Sequence, residues 1–185
     1  IDELEINNGH TSLDFRKEMS EIAFTETAFY DSVISSYFNF KSKKKFKEKR
    51  VLHGKLIKEL RYGENPHQKA SLYSKYSDIG LDQLNGKELS FNNYGDIFAS
   101  LSISRSLPKN IGTVIVKHSN PCGVSTNNNH KKSYISALAS DPISAFGGVV
   151  SCNFKINTSI AKEMSKNFYE VIIGIGIEKN ALKIL

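Results

Sequence analysis

The sequence predicts an α/β fold, a sheet with parallel pairs and helices on its faces. Three observations carry that expectation. After residue 50, short apolar or β-branched runs alternate with longer segments whose apolar residues recur at helical spacing. The run Gly112-Thr-Val-Ile-Val116 is β-branched and bounded by turn residues, the pattern of a buried strand. Asn, Gly and Pro stand at the junctions between segments, where caps and turns need them.

Taken in order, residues 1–10 are polar and contain a turn at Asn7-Asn-Gly9. Thr11-Ser-Leu-Asp14 predicts a capping box opening a helix, with Met19, Ile22 and Ala23 on its apolar face. A second helical stretch follows on Tyr30, Val33, Ile34, Tyr37 and Phe38, spaced i, i+3, i+4, i+7, i+8. Both segments predict packing and no chemistry. Residues 41–50 are a lysine-rich block with one aromatic, Phe46, and predict a solvated connector between domains.

Residues 52–60 predict a strand, and residues 70–73 a shorter one. Residues 84–93 form a polar loop with an Asn-Gly turn, ending in Asn92-Asn93, and residues 96–107 a helix. Lys117-His118 closes the central strand, and Pro121 and Gly123 predict a sharp exit turn over residues 119–123. Residues 133–139 are helical, and Asp141-Pro-Ile-Ser-Ala-Phe-Gly-Gly148 leads into a strand over 149–152. Asn157 or Thr158 caps a helix ending near 167, residues 170–173 are a last buried strand, and another helix begins at 177.

Composition narrows the function classes. The net charge is +6 over 185 residues, but much of the excess lies in residues 41–50, and only four basic residues are arginine. That balance does not describe a nucleic-acid-binding domain. Two cysteines, Cys122 and Cys152, give no disulfide framework, and a reducing cytoplasm fits. No stretch has the length and apolarity of a membrane span. The chain begins at Ile1 and stops inside a predicted helix, which is expected of a fragment.

Six places carry candidate chemistry. Lys117 and His118 put a lasting cation beside a base that titrates near neutrality, at a strand end where open α/β sheets hold ligands. Arg61, followed by Tyr62 and Gly63, offers a planar fork for phosphate or carboxylate, or serves an ordinary surface loop. Asn93 either reads a polar ring substituent or caps the helix after it. Gly147, in the glycine pair, either lets a ligand approach the backbone or makes a turn the fold requires. Glu170 leads the last strand. Cys122 follows a proline as in zinc deaminases, but Ser125 stands where their second cysteine would be, so no metal is expected.

These segments also resemble a known family. Leu60-Arg-Tyr-Gly-Glu-Asn-Pro-His-Gln-Lys69, Lys117-His-Ser-Asn-Pro-Cys-Gly123 and residues 141–148 are similar to the bacterial bifunctional purine biosynthesis enzymes. Those enzymes join an IMP cyclohydrolase domain to an AICAR transformylase domain (AICAR is aminoimidazole carboxamide ribonucleotide). Residues 85–93 and 8–16 fit as well, so the resemblance spans the chain.

The resemblance implies that residues 1–45 are the tail of the cyclohydrolase domain with its connector. Residues 46–185 would be the first part of a transformylase domain with a cytidine deaminase-like α/β/α sheet. It implies His118 as general base and Lys117 as transition-state stabiliser, with Arg61, Tyr62, Asn93, Gly147 and Glu170 on the nucleotide. It further implies 10-formyltetrahydrofolate as cosubstrate, a homodimer with sites at its interface, and an isolated fragment that is inactive or nearly so.

Overall fold

The computed structural model describes residues 1–185. The chain divides into two compact units, one of Ile1–Lys58 with Leu72–Asp82, the other of Glu59–Ser71 with Gln83–Leu185. The fold is α/β, with a two-stranded and a four-stranded sheet.

The first unit opens with α1 (Asp2–Ile6), a short helix absent from the sequence expectation. The Ser12 side chain and then its amide, which the Glu3 carboxylate accepts at 2.8 Å, hold the Glu3 carboxyl below the ordinary value. Ser12 in turn caps α2 (Leu13–Lys41), accepting from the Phe15 amide, so the cap lies one residue beyond the predicted Thr11. The two predicted helices are one helix of 29 residues. Nothing between them breaks it: residues 24–29 contain neither Gly nor Pro. The stripe predicted to pack is open to solvent, with Tyr37 58% and Phe38 64% exposed. An apolar face of that extent is unusual on a finished surface. Residues 42–54 form neither helix nor strand, and β1 (Lys55–Leu60) pairs with β2 (Ala70–Ser74).

The four-stranded sheet is built from β3 (Gly112–Lys117), β4 (Asn120–Thr126), β5 (Gly148–Cys152) and β6 (Tyr169–Gly174), in the order β4-β3-β5-β6. β3 runs antiparallel to both β4 and β5, and only β5 and β6 run parallel. The sequence hid β4. Its Pro121 and Gly123 look like turn residues, yet the turn is His118-Ser119 and both breakers lie inside an edge strand. The register slips between Ile115 and Val116, and the proline sits beside that irregularity, where a missing N–H is tolerated. Gly123 is needed because a helix backbone comes close. A Cβ there would stand 1.8 Å from the Ala137 carbonyl oxygen.

Four helices complete the unit: α3 (Phe91–Ser106), α4 (His130–Ser140), α5 (Thr158–Met164) and α6 (Lys179–Leu182). Asn129 and Asn157 cap α4 and α5 through their side-chain oxygens. Helices cover both faces of the sheet. Ser151 bonds Ser104 of α3 at 3.0 Å on one face, while Thr113 bonds Ser133 of α4, hydroxyl to hydroxyl, at 3.0 Å on the other. Strand alternation then sends Val150 and Cys152 the way of Ile115, into a core with Tyr134, Phe154, Ile156, Ile160 and Met164. Val114, Ile115 and Val116 are all fully buried, as a strand covered on both faces requires. Each contributes roughly 1.5–3 kcal/mol of hydrophobic stabilisation.

Candidate functional site

The antiparallel pairing of β3 with β5 gathers the site. It puts the carboxyl end of β3 at the same sheet edge as the amino ends of β5 and β6. Lys117, Gly147 and Glu170 therefore come together, although only the first lies at a strand's carboxyl end. The rule for open parallel sheets, which ranks carboxyl ends alone, misses two of the three.

Lys117 is the last residue of β3. Its Nζ donates to the Phe146 carbonyl oxygen at 2.7 Å, which fixes the ammonium at the mouth of the Ala145–Gly148 turn. Gly147 has φ +70°, a conformation that favours glycine, and its amide donates to the Phe168 carbonyl at 2.9 Å. A Cβ on Gly147 would lie 3.9 Å from the Lys117 ammonium, so the two face each other.

His118 and Ser119 are the central residues of the two-residue loop between β3 and β4, with φ +53° and +61°. Positive φ at both positions is what a type I′ hairpin turn demands. The His118 side chain is exposed to solvent. The Asp96 carboxylate accepts both loop amides, from Ser119 at 2.6 Å and from His118 at 3.3 Å. Sequence reasoning missed Asp96. Its only signal was a carboxylate shortly after the Asn92-Asn93 pair, and that read as the first residue of the helix expected over 96–107.

Asn93 sits at the third position of α3, which starts at Phe91, five residues before the start expected at 96. Ser90 and Asn93 form a reciprocal capping box: Ser90 Oγ accepts the Asn93 amide at 3.2 Å, and Asn93 Oδ1 accepts the Ser90 amide at 3.0 Å. The other end of the same carboxamide, Nδ2, donates to Glu170. Asn93 is thus the cap that one of the two sequence alternatives expects, and its carboxamide nitrogen is paired with Glu170.

Arg61 and Tyr62 follow β1 in a loop tied to the start of α3. The Arg61 guanidinium donates to the Glu88 carbonyl at 3.3 Å and lies 5.6 Å from the Tyr62 ring centre. Asn92 Nδ2 donates to the Glu64 carbonyl at 3.4 Å. The loop itself is closed by Gly63, whose amide donates to the Gln68 carbonyl at 2.8 Å. An ammonium, a carboxylate and an exposed imidazole thus lie along one edge of the sheet, and the start of α3 ties the Arg61 loop on one side and Glu170 on the other.

The thiols are not part of that chemistry. Burial pushes the half-buried Cys122 thiol up, with the Asp141 charge adding to it, and pushes the buried Cys152 thiol up to about 12. Neither is a thiolate at neutral pH. His, Cys, Asp and Glu side chains nowhere gather in a group of three or more that could hold a metal ion. No helix is long and apolar enough to cross a membrane.

The AICARFT/IMPCHase bienzyme family model matches residues 1–185, the whole chain. The chain belongs to that family. Among its relatives, the bifunctional purine biosynthesis protein PurH of Persephonella marina is 40% identical over 185 residues, covering 96% of this chain and 36% of the relative. The PurH protein of Aquifex aeolicus is 39% identical, covering 96% and 36%. That of Bradyrhizobium diazoefficiens is 40% identical, covering 100% and 36%. This member of the AICARFT/IMPCHase family therefore spans about a third of the length of those relatives. Its Arg61, Asn93, Lys117-His118, Gly147 and Glu170 segments all lie within the matched span.

Proposed function

We propose that this chain carries the amino-terminal part of an AICAR transformylase, acting in purine biosynthesis. The observation that carries the reading is the placement of Lys117 and His118. A fixed ammonium and an exposed imidazole are adjacent at the edge where Gly147 and Glu170 also lie. The relatives' name, a bifunctional purine biosynthesis protein, supports the same reading.

In this reading the nucleotide binds through Arg61, Tyr62, Asn93, Gly147 and Glu170, with the guanidinium as its anion contact. The 5-amino nitrogen attacks the formyl carbon of 10-formyltetrahydrofolate. A new N–C bond forms, the formyl bond to the folate nitrogen breaks, and that nitrogen takes up a proton. His118 accepts the proton the amine loses, and Lys117 stabilises the negative charge that develops at the formyl oxygen. An aromatic amine conjugated to a carboxamide is a weak nucleophile, so a positioned base matters. The chemistry assigned to these residues uses no metal.

Residues 1–45 belong, in the same reading, to the end of an IMP cyclohydrolase domain and its connector, and residues 46–185 to the transformylase domain. The full-length protein would form FAICAR (the formylated product) and cyclise it to IMP, as a cytoplasmic homodimer. The fragment alone would have little or no activity.

The test is formyl transfer from 10-formyltetrahydrofolate to AICAR, followed by folate absorbance, on the full-length protein carrying this sequence. Turnover that collapses in His118→Ala while nucleotide still binds supports the reading. A folded parent that binds the nucleotide and transfers nothing overturns it and leaves a binding module.

A further inference from the structure

One carboxylate at the site has no part in the chemistry above. Asp96 is half-buried in the second turn of α3. Its Oδ1 accepts the Ser119 amide at 2.6 Å and its Oδ2 the His118 amide at 3.3 Å. These are the two residues held at positive φ. A two-residue turn of this kind ordinarily uses Asn and Gly. His and Ser adopt that conformation only against a backbone cost, which surrounding structure must offset. Two neighbouring amides that point the same way form a small anion-binding concavity, and Asp96 fills it.

The opposite side of the turn is held as well. Asn120 Nδ2 donates to the His118 carbonyl at 2.9 Å. The backbone of His118 is therefore gripped at both its N–H and its C=O. Three residues before Asp96, on the same face of α3, Asn93 donates to Glu170. One helix end thus fixes the acidic group and the turn that carries the imidazole. Gly95 leaves room beside it: a Cβ there would meet only Ser119 Oγ, at 3.6 Å.

We infer that Asp96 is a positioning residue, which aims the His118 imidazole by accepting the two amides of a turn that His and Ser would not adopt unaided. The inference rests on the reading of His118 as the base.

The experiment uses the full-length protein. Asp96→Asn keeps the shape, removes the charge and leaves a single acceptor for two donors. The expected result is a fall in kcat of about 10²-fold, the scale of a small misplacement of a reacting group, with KM for the nucleotide held. Ser119→Gly removes the conformational cost at one turn position, so adding it to Asp96→Asn recovers a large part of the lost kcat. Asp96→Glu keeps the charge on a longer arm and loses less than Asp96→Asn. A purely structural Asp96 would lower stability with kcat per folded molecule intact, and Ser119→Gly would rescue nothing; either result overturns the inference.

Amide hydrogen exchange at His118 and Ser119 reads the two bonds without substrate. Protection in the parent that disappears in Asp96→Asn supports the inference, and unprotected amides in the parent overturn it. A parent without formyl transfer sinks the functional reading instead, and the exchange result then still decides whether Asp96 holds the turn.

Discussion

The two ends of β3 are handled in opposite ways. At the start of the strand, Asn153, Ser133, Asn127 and His130 are committed to the fold. Asn153 accepts the Gly112 amide at 2.8 Å and donates to the Ser104 and Pro108 carbonyls at 3.1 and 2.9 Å. Ser133 donates to the Ile111 carbonyl, and Asn127 does so through its backbone amide. His130 lies flat on Phe154, with ring centres 4.0 Å apart, and its Nε2 is paired with the Asn110 carbonyl at 2.7 Å. At the far end, His118 is exposed, its backbone is strained, and the groups around it hold the turn and leave the ring free. The same residue type is a structural pin at one end and, in the function proposed above, the base at the other. The difference lies in what satisfies each imidazole.

The largest effect that tests this contrast is catalytic. His118→Ala in the full-length protein should lower kcat by about 10²–10⁴-fold, the typical contribution of a positioned base, with the melting temperature nearly unchanged. His130→Ala should do the reverse. It loses a stacked ring pair and a hydrogen bond, together about 1–3 kcal/mol of stability, with kcat per folded molecule retained. Steady-state kinetics and thermal unfolding on both variants separate the two roles. Equal kinetic losses at both histidines would erase the distinction.

The contrast also shows how far the sequence could be read. Elements with a strong local signal came through: the β-branched run of β3, the Asn157 cap of α5 and the lead into β5. β4 did not, because Pro121 and Gly123 have tertiary reasons, a slipped register on an edge strand and the close backbone of α4. The candidate residues Arg61, Asn93, Lys117, His118, Gly147 and Glu170 were each read beside an element end or in a loop. That Lys117, Gly147 and Glu170 share one sheet edge was not legible, since it depends on β3 running antiparallel to β5, which no local pattern states. Asp96 was invisible for a related reason. Its partners are backbone amides, and backbone amides leave no trace in residue identity. The open stripe of α2 belongs to the same class, since apolar periodicity announces a face and is silent about its cover.

A middle-sized effect probes the structural end alone. Asn153→Ala removes the acceptor of the Gly112 amide and the donor to two carbonyls at once. A buried donor left without a partner costs about 1–3 kcal/mol, so the urea midpoint should fall with the slope unchanged. Because the strand between is rigid and fully buried, formyl transfer by the folded fraction should persist. A kcat loss as large as that of His118→Ala would mean the two ends are coupled through β3.

The smallest effect concerns the ion pairs beside His130. Glu163 of α5 takes Lys131 of α4 and Lys166 at 2.7 Å each. Hydrogen bonds from Lys131 and then Lys166 hold its carboxyl down, to about 2 from an ordinary 4.5. A carboxyl depressed in the folded state binds its proton more readily once unfolded. Its stabilisation is therefore present above the ordinary value and disappears as pH falls from there toward the folded one. The parent and Glu163→Gln should differ in urea midpoint at neutral pH. The gap should close between about pH 4.5 and 2, with the parent losing its advantage. Both lysines reach the carboxylate from well-solvated positions, so the gap should also shrink in high salt. A gap that widened toward acid pH would mean that the neutral carboxyl, not the carboxylate, is the form the fold prefers. The join between α4 and α5 would then rest on packing at Ile160 and Ala161 rather than on charge.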